Sequence, residues 1–128
     1  MAADTVTTQV LTDGPKTSVL KFTNVSGGDG ESAVVKVDVS TLSGAPSKVK
    51  IMQAWFTTDG MSVDILFDAT ANVLAFTAPA GLTDHLDFRS FGGIQNNAGT
   101  GVTGDILFTT RNHTAGDTYS IILEVSKS

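Results

Sequence analysis

Residues 48–68 read KVKIMQAWFTTDGMSVDILFD. Two runs of alternating character flank Asp59-Gly60. In the first, over Lys48–Thr57, Val49, Ile51 and Trp55 oppose Lys50 and Met52. In the second, over Ser62–Asp68, Val63, Ile65 and Phe67 face one way, with Asp64 and Asp68 facing the other. A period of two is the signature of a half-buried strand. Asp-Gly between two such runs is a hairpin signal, because glycine accepts the positive φ that a tight reversal needs. Trp55 and Phe56 are sequence neighbours and so take opposite faces. One of them is core, and the other is either core of a second sheet or an exposed contact.

The same period runs outward from this stretch. Leu20 and Phe22 alternate with Lys21 and Thr23 in Ser18–Val25. Val35, Val37 and Val39 alternate with Lys36 and Asp38. Val73–Thr77 is short. His85–Phe91 carries Leu86, Phe88 and Phe91, and Asp105–Thr110 follows. Thr118–Lys127 places Tyr119, Ile121, Leu123 and Val125 on one face. Between the runs stand turn residues such as Asp13-Gly14-Pro15 and Ser26-Gly27-Gly28-Asp29-Gly30. No window of a dozen residues holds a 3.6-residue repeat. Eight or nine short strands spaced by turns predict an all-β protein, an antiparallel sandwich. A jelly roll of eight strands suits the count, with an immunoglobulin-like sandwich as the other arrangement.

Composition agrees. Eleven Asp stand against two Glu, and there are 13 Gly, 18 Thr and 11 Ser in 128 residues. Asp and Gly serve turns and Thr serves strands, whereas Glu, the helix former, is nearly missing. A 13.3 kDa chain should fold as one domain with about 6,400 Å² of exposed surface. Only 16% of residues are charged, below the usual level of about 25%. A surface so sparsely charged is suited to being covered by other proteins.

Several classes are disfavoured. A net charge of −5 with scattered basic residues offers no footprint for nucleic acid. No apolar run approaches the length of a membrane span, and the first residues show no secretory pattern. Without cysteine there are no disulfides, thiol nucleophiles or Cys-ligated metals. His85 and His113 are expected to be solvated turn residues, and no Gly-x-Ser-x-Gly elbow occurs. Asp64 and Asp68 read as solvated outward carboxylates rather than a glycosidase pair. A structural calcium would have to draw on Asp29, Asp59, Asp84, Asp87, Asp105 and Asp117, but no ligand spacing singles them out. Neither an enzyme, a cofactor nor a metal is expected.

Two segments stand apart. Residues 1–14 are polar and β-branched, free of charge between Asp4 and Asp13. They are either an edge strand of the domain formed by 15–128 or an arm adding to a neighbour's sheet. Gly92–Gly104, GGIQNNAGTGVTG, is either a loose connection or a loop that docks on a neighbour.

Several local strings carry a resemblance: Phe22-Thr23-Asn24-Val25, Gly30-Glu31-Ser32, Val37-Asp38-Val39-Ser40, Leu66-Phe67-Asp68-Ala69, Leu86-Asp87-Phe88, Phe91-Gly92-Gly93-Ile94, Gly104-Asp105-Ile106 and Asp117–Leu123. Between Val19 and Val125 the chain resembles small virion structural proteins of tailed bacteriophages, of the head decoration (cement) type. The resemblance implies a protein made in the host cytoplasm and mounted on the exterior of the head. There it would clamp the major capsid protein, as a homo-oligomer, most simply a trimer. It implies no catalytic residues, no membrane and no nucleic acid. The expected contacts lie in the N-terminal segment (Thr5, Val6, Thr7, Thr8) and the glycine-rich loop (Phe91, Ile94, Gln95, Asn96, Asn97). The alternatives are a neck or tail component of similar type, or a carbohydrate-binding module using Trp55 and Tyr119 as an aromatic platform.

Overall fold

Alternation is carried into pairing along most of the chain. The computed structural model describes residues 4–44, 46–47, 49–96, 98 and 100–127. Nine strands form: β1 (Thr5–Asp13), β2 (Thr17–Val25), β3 (Val34–Val37), β4 (Val49–Asp59), β5 (Ser62–Phe67), β6 (Val73–Ala78), β7 (Thr83–Asp87), β8 (Ile106–Arg111) and β9 (Thr118–Lys127). Two short 3₁₀ turns, Val39–Thr41 and Arg89–Phe91, complete the regular structure. One sheet runs β1-β2-β9-β4-β7 and the other β3-β8-β5-β6, with every pairing antiparallel. The chain is therefore an all-β sandwich, with an exposed area of 6177 Å² near that expected for its mass.

The strand pairs β2–β9, β3–β8, β4–β7 and β5–β6 nest inside one another. They make one long antiparallel ribbon rolled so that alternate pairs fall in opposite sheets. The inner faces supply the core. Leu20 and Phe22 of β2 meet Ile121, Leu123 and Val125 of β9, with Ile51 and Phe56 of β4 and Val63, Ile65 and Phe67 of β5 also buried. Phe108 of β8 packs edge-on to Phe22 at 5.1 Å and to Tyr119 at 5.8 Å. These T-shaped contacts lock the sheets face to face.

Three expectations are corrected. Asp59-Gly60 is not a hairpin, because β4 and β5 lie in different sheets. The turn carries the chain across the sandwich, and Met61 fills the corner completely buried. Gly60 has φ +85°, and a Cβ there would meet the Asp117 carboxyl group at 2.2 Å. The dipeptide encodes the reversal, not the partner.

The second and third corrections come from bulges. The β4–β9 register shifts between Ile51 and Gln53. Beyond it Ala54 and Phe56 turn inward, and Trp55 turns outward, away from Ile51. In β3 the register shifts between Val35 and Val37. Lys36 is consequently buried while Val35 is exposed, the reverse of the alternation read from sequence. One extra residue in a strand moves every later side chain to the other face.

Candidate binding surfaces

The five-stranded sheet has one strand more than its partner, and the surplus strand is β1. Its pairing places Val6 opposite Asn24, Thr8 opposite Phe22 and Val10 opposite Leu20. Directly paired residues share a face, so these three look inward, where no strand of the second sheet covers them. All nine residues of β1 are exposed, with Val6 and Val10 at 46% and 53%. Leu11, Val25, Val34 and Val35 are exposed too. Six of the large exposed apolar side chains thus belong to β1, its neighbour β2 and the opposing edge strand β3. The N-terminal segment is an edge strand of its own domain.

Both ends of β1 are pinned. The Asp4 carboxylate accepts hydrogen bonds from Asn24 Nδ2 (2.9 Å) and from the Gly27 (3.1 Å) and Gly30 (3.0 Å) amides. Burial acts to raise the Asp4 pKa, but these donors together outweigh it and hold the group below its ordinary value. At the other end Asp13 accepts from Lys127 Nζ (2.6 Å), Ser18 Oγ (2.8 Å) and the Ser43 amide (2.8 Å), which depress its pKa in that order. The middle of β1 is left open between two anchors.

Beneath the Asp4 end lies a buried polar cluster that alternation could not reveal. The Lys36 ammonium pairs with Glu31 Oε2, the two side chains being 4% and 5% exposed. Glu31 Oε1 accepts from the Tyr119 hydroxyl (2.6 Å) and Asn24 Nδ2 (2.8 Å). Burial, then the Glu31 carboxylate, pushes the Tyr119 hydroxyl far above its ordinary pKa, so it serves as a donor. Tyr119 is 1% exposed and belongs to the core, not to an aromatic platform.

Trp55 sits on the outer face of the five-stranded sheet. His85, its partner on β7, lies in a strand rather than the expected turn. The two rings stack at 4.8 Å and 4°. The His85 Nε2 is 2.9 Å from Gln53 Oε1, and Gln53 Nε2 donates to Glu124 Oε1 at 3.2 Å. Beside the ring pair is a depression of about 360 Å³, lined by Trp55, Ile122, Thr57, Thr83, Ser120 and Asp84 among others.

The glycine-rich loop folds back on its own domain. Ile94, half-buried, exchanges backbone hydrogen bonds with Ile51 (2.9 and 3.0 Å). Asn96 Nδ2 donates to the Asp68 carbonyl (3.1 Å), and Thr70 N–H to the Thr100 carbonyl (3.1 Å). Phe91 is 66% exposed and Gln95 is exposed as well. Asn97 lies outside the described residues. The structure therefore brings Phe91, Ile94, Gln95 and Asn96 together at one place and Thr5–Thr8 at another.

The remaining polar residues are engaged locally. Asp64 pairs with Arg111 (2.8 Å), and Asp87 with Arg89 (2.8 Å), which holds the Asp87 pKa down at about 2. Asp105 is raised by burial and by the charges of Asp38 and Asp68, against the Val39 amide that donates to it. His113 Nε2 meets the Asp29 carbonyl (3.1 Å), and its Nδ1 the Thr110 hydroxyl (3.5 Å). Among the described residues no three His, Asp or Glu side chains are grouped to hold a metal ion, and no helix is long and apolar enough to cross a membrane. No protein-family model and no curated protein matches the chain.

Proposed function

We propose that this protein is a structural component of a tailed-phage virion, a head decoration protein that binds the major capsid lattice through its β1 side. The observation that carries this reading is the open β1 strand, whose apolar inner face looks into a notch left by the shorter second sheet. The other sheet edges are guarded. β7 carries Asp84, His85 and Asp87, β3 has four residues and a bulge, and β6 is broken by a register shift. Charge, brevity and bulges discourage edge pairing. β1 is nine residues long, and its one charge, Asp13, and its single bulge both lie at its far end. Its neutral surface can be covered with little cost from desolvated charge. The nested ribbon is read as a jelly roll with β1 added outside it, a stiff mount for a shell. A trimer would repeat the contact and multiply its strength.

The test adds purified protein to heads stripped of it. The wild type should saturate them. The double variant Val6→Asp/Val10→Asp changes only exposed positions and should keep its unfolding midpoint. It should lose occupancy at least about tenfold, since each buried carboxylate would go unpaired in the interface. Undiminished occupancy would reject β1 as the anchor. A particle map with the protein at the neck or tail would reject the head.

A further inference from the structure

We propose that Lys36 and Asn24 join in an intramolecular amide bond, with Glu31 as the proton carrier, and that this bond ties the two sheets together. The proposal does not rest on the virion reading.

The groups that this chemistry needs meet in one enclosed place. Lys36 belongs to β3 of the four-stranded sheet and Asn24 to β2 of the five-stranded one. The bulge in β3 turns Lys36 inward, and Asn24 pairs with the inward-facing Tyr119. Lys36, Asn24 and Glu31 are 8%, 1% and 8% exposed. One carboxylate bridges the other two side chains. Glu31 Oε2 holds the Lys36 ammonium, and Oε1 accepts from Asn24 Nδ2 at 2.8 Å. The nucleophile and the leaving nitrogen thus sit on adjacent oxygens of the same group. Glu31 is itself held in place. Its amide donates to Thr110 Oγ1 (2.9 Å), its carbonyl accepts from the Thr110 amide (2.9 Å), and Tyr119 donates to Oε1 (2.6 Å).

A second observation points to the Asn24 carbonyl. Its Oδ1 is buried with no hydrogen-bond partner among the described residues. A buried acceptor left so is rare and calls for an explanation. The amide nitrogen donates to two carboxylates, Asp4 and Glu31. Turning the group over would set oxygen against oxygen, so Oδ1 stays unpaired. Burial also keeps water from competing with the amine, and fixed neighbours react at a high effective concentration.

In the reaction, Lys36 Nζ first passes one proton to Glu31 Oε2, which leaves both groups neutral. The amine lone pair attacks Asn24 Cγ, and the carbonyl electron pair moves onto Oδ1. Glu31 gives its proton to Nδ2 and takes a second one from Nζ. The carbonyl re-forms as the Cγ–Nδ2 bond breaks with its electrons on nitrogen, and ammonia leaves. The products are a secondary amide between Cγ and Nζ, ammonia, and a Glu31 proton that the ammonia carries off as ammonium. Nothing is oxidised or reduced. The newly folded chain carries the ion pair, which sets its stability until the amide forms.

Intact mass spectrometry tests this on the wild-type protein, freshly purified and again after a week at neutral pH. A species lighter by about 17 Da, the mass of ammonia, should be present by the later time. Trypsin should fail to cut after Lys36 in that species. The peptide spanning 22–48 should carry the deficit and give no backbone fragments from between the linked residues. Lys36→Arg keeps a cation without the amine nucleophile and should abolish the loss. Glu31→Gln still accepts from Asn24 and Tyr119 but carries no proton, and should slow the loss at least about tenfold. Wild-type protein with no lighter species at either time would overturn the proposal, whether or not the variants fold. So would a deficit mapped elsewhere, as a succinimide at another asparagine would be, a deficit that persists in Lys36→Arg, or one that forms as fast in Glu31→Gln.

Discussion

Replacing Lys36 with methionine removes the cation paired with the buried Glu31 carboxylate. Both side chains are almost fully enclosed, and Glu31 keeps two neutral donors among the described residues, the Tyr119 hydroxyl and Asn24 Nδ2. Breaking a buried pair from one side costs about 3–5 kcal/mol, because the remaining charge is stranded away from water. Domains of this kind are stable by about 5–15 kcal/mol, so one substitution should consume a large share. With a urea slope of about 2 kcal/mol per molar, the midpoint should fall by about 1.5–2.5 M. The informative partner is the double variant Glu31→Gln/Lys36→Met. Glutamine still accepts from Tyr119 and Asn24 and carries no charge. The double variant should therefore recover to within about 1 kcal/mol of the wild type, as neutral replacements of buried pairs do. Urea unfolding followed by far-UV circular dichroism measures all three. A single variant losing less than about 1 kcal/mol, or a double variant no more stable than Lys36→Met alone, would refute the stranded-charge argument.

Other outcomes follow from the same geometry. Gly60→Ala should cost more than about 1 kcal/mol in urea unfolding, since φ is +85° and the new methyl group strikes Asp117; the control Gly81→Ala, with φ +72° and open space, should cost less. Phe108→Ala, which empties the centre of the Phe22–Phe108–Tyr119 stack, should cost about 3–5 kcal/mol. The Asp4 pKa is depressed in the folded state, so its contribution is present above the unfolded value and lost as pH falls through the folded one. Asp4→Asn should be less stable than wild type at pH 7, and that gap should close in thermal melts taken below about pH 4. Asp105 has the opposite sign. Its raised pKa favours the folded state at low pH and is a liability above it. Asp105→Asn, which keeps an acceptor for the Val39 amide, should raise the melting temperature at pH 7 and lose that advantage below about pH 4.

Strands β2, β5 and β9 were legible residue by residue. Each is a regular run whose inward set (Leu20 and Phe22; Val63, Ile65 and Phe67; Tyr119 through Val125) is fixed by alternation and is found buried. The candidate surfaces were legible only in part. Charge-free Thr5–Thr12 marked itself as an edge or an arm, but its overhang depends on the second sheet having one strand fewer. Trp55 was recognised as core or contact, and the Met52 bulge decided between them. The imidazole beside it was out of reach, because positions 55 and 85 meet only through the β4–β7 register. The Glu31–Lys36–Tyr119 cluster was hidden for the same reason, and Lys36 looked solvated until a bulge turned it inward. The glycine-rich loop carried no sign that Ile94 would pair with Ile51.

Periodicity and turn chemistry are local properties, carried by neighbours along the chain, and they alone settled that this protein is a β-sandwich with a sparsely charged surface. Partnership between strands is not local. It is chosen by how two hydrophobic faces close over each other, and a single inserted residue reverses a side chain's direction. Tertiary structure therefore decided which sheet each strand joined, which aromatic faced the solvent, and which edge was left without a cover.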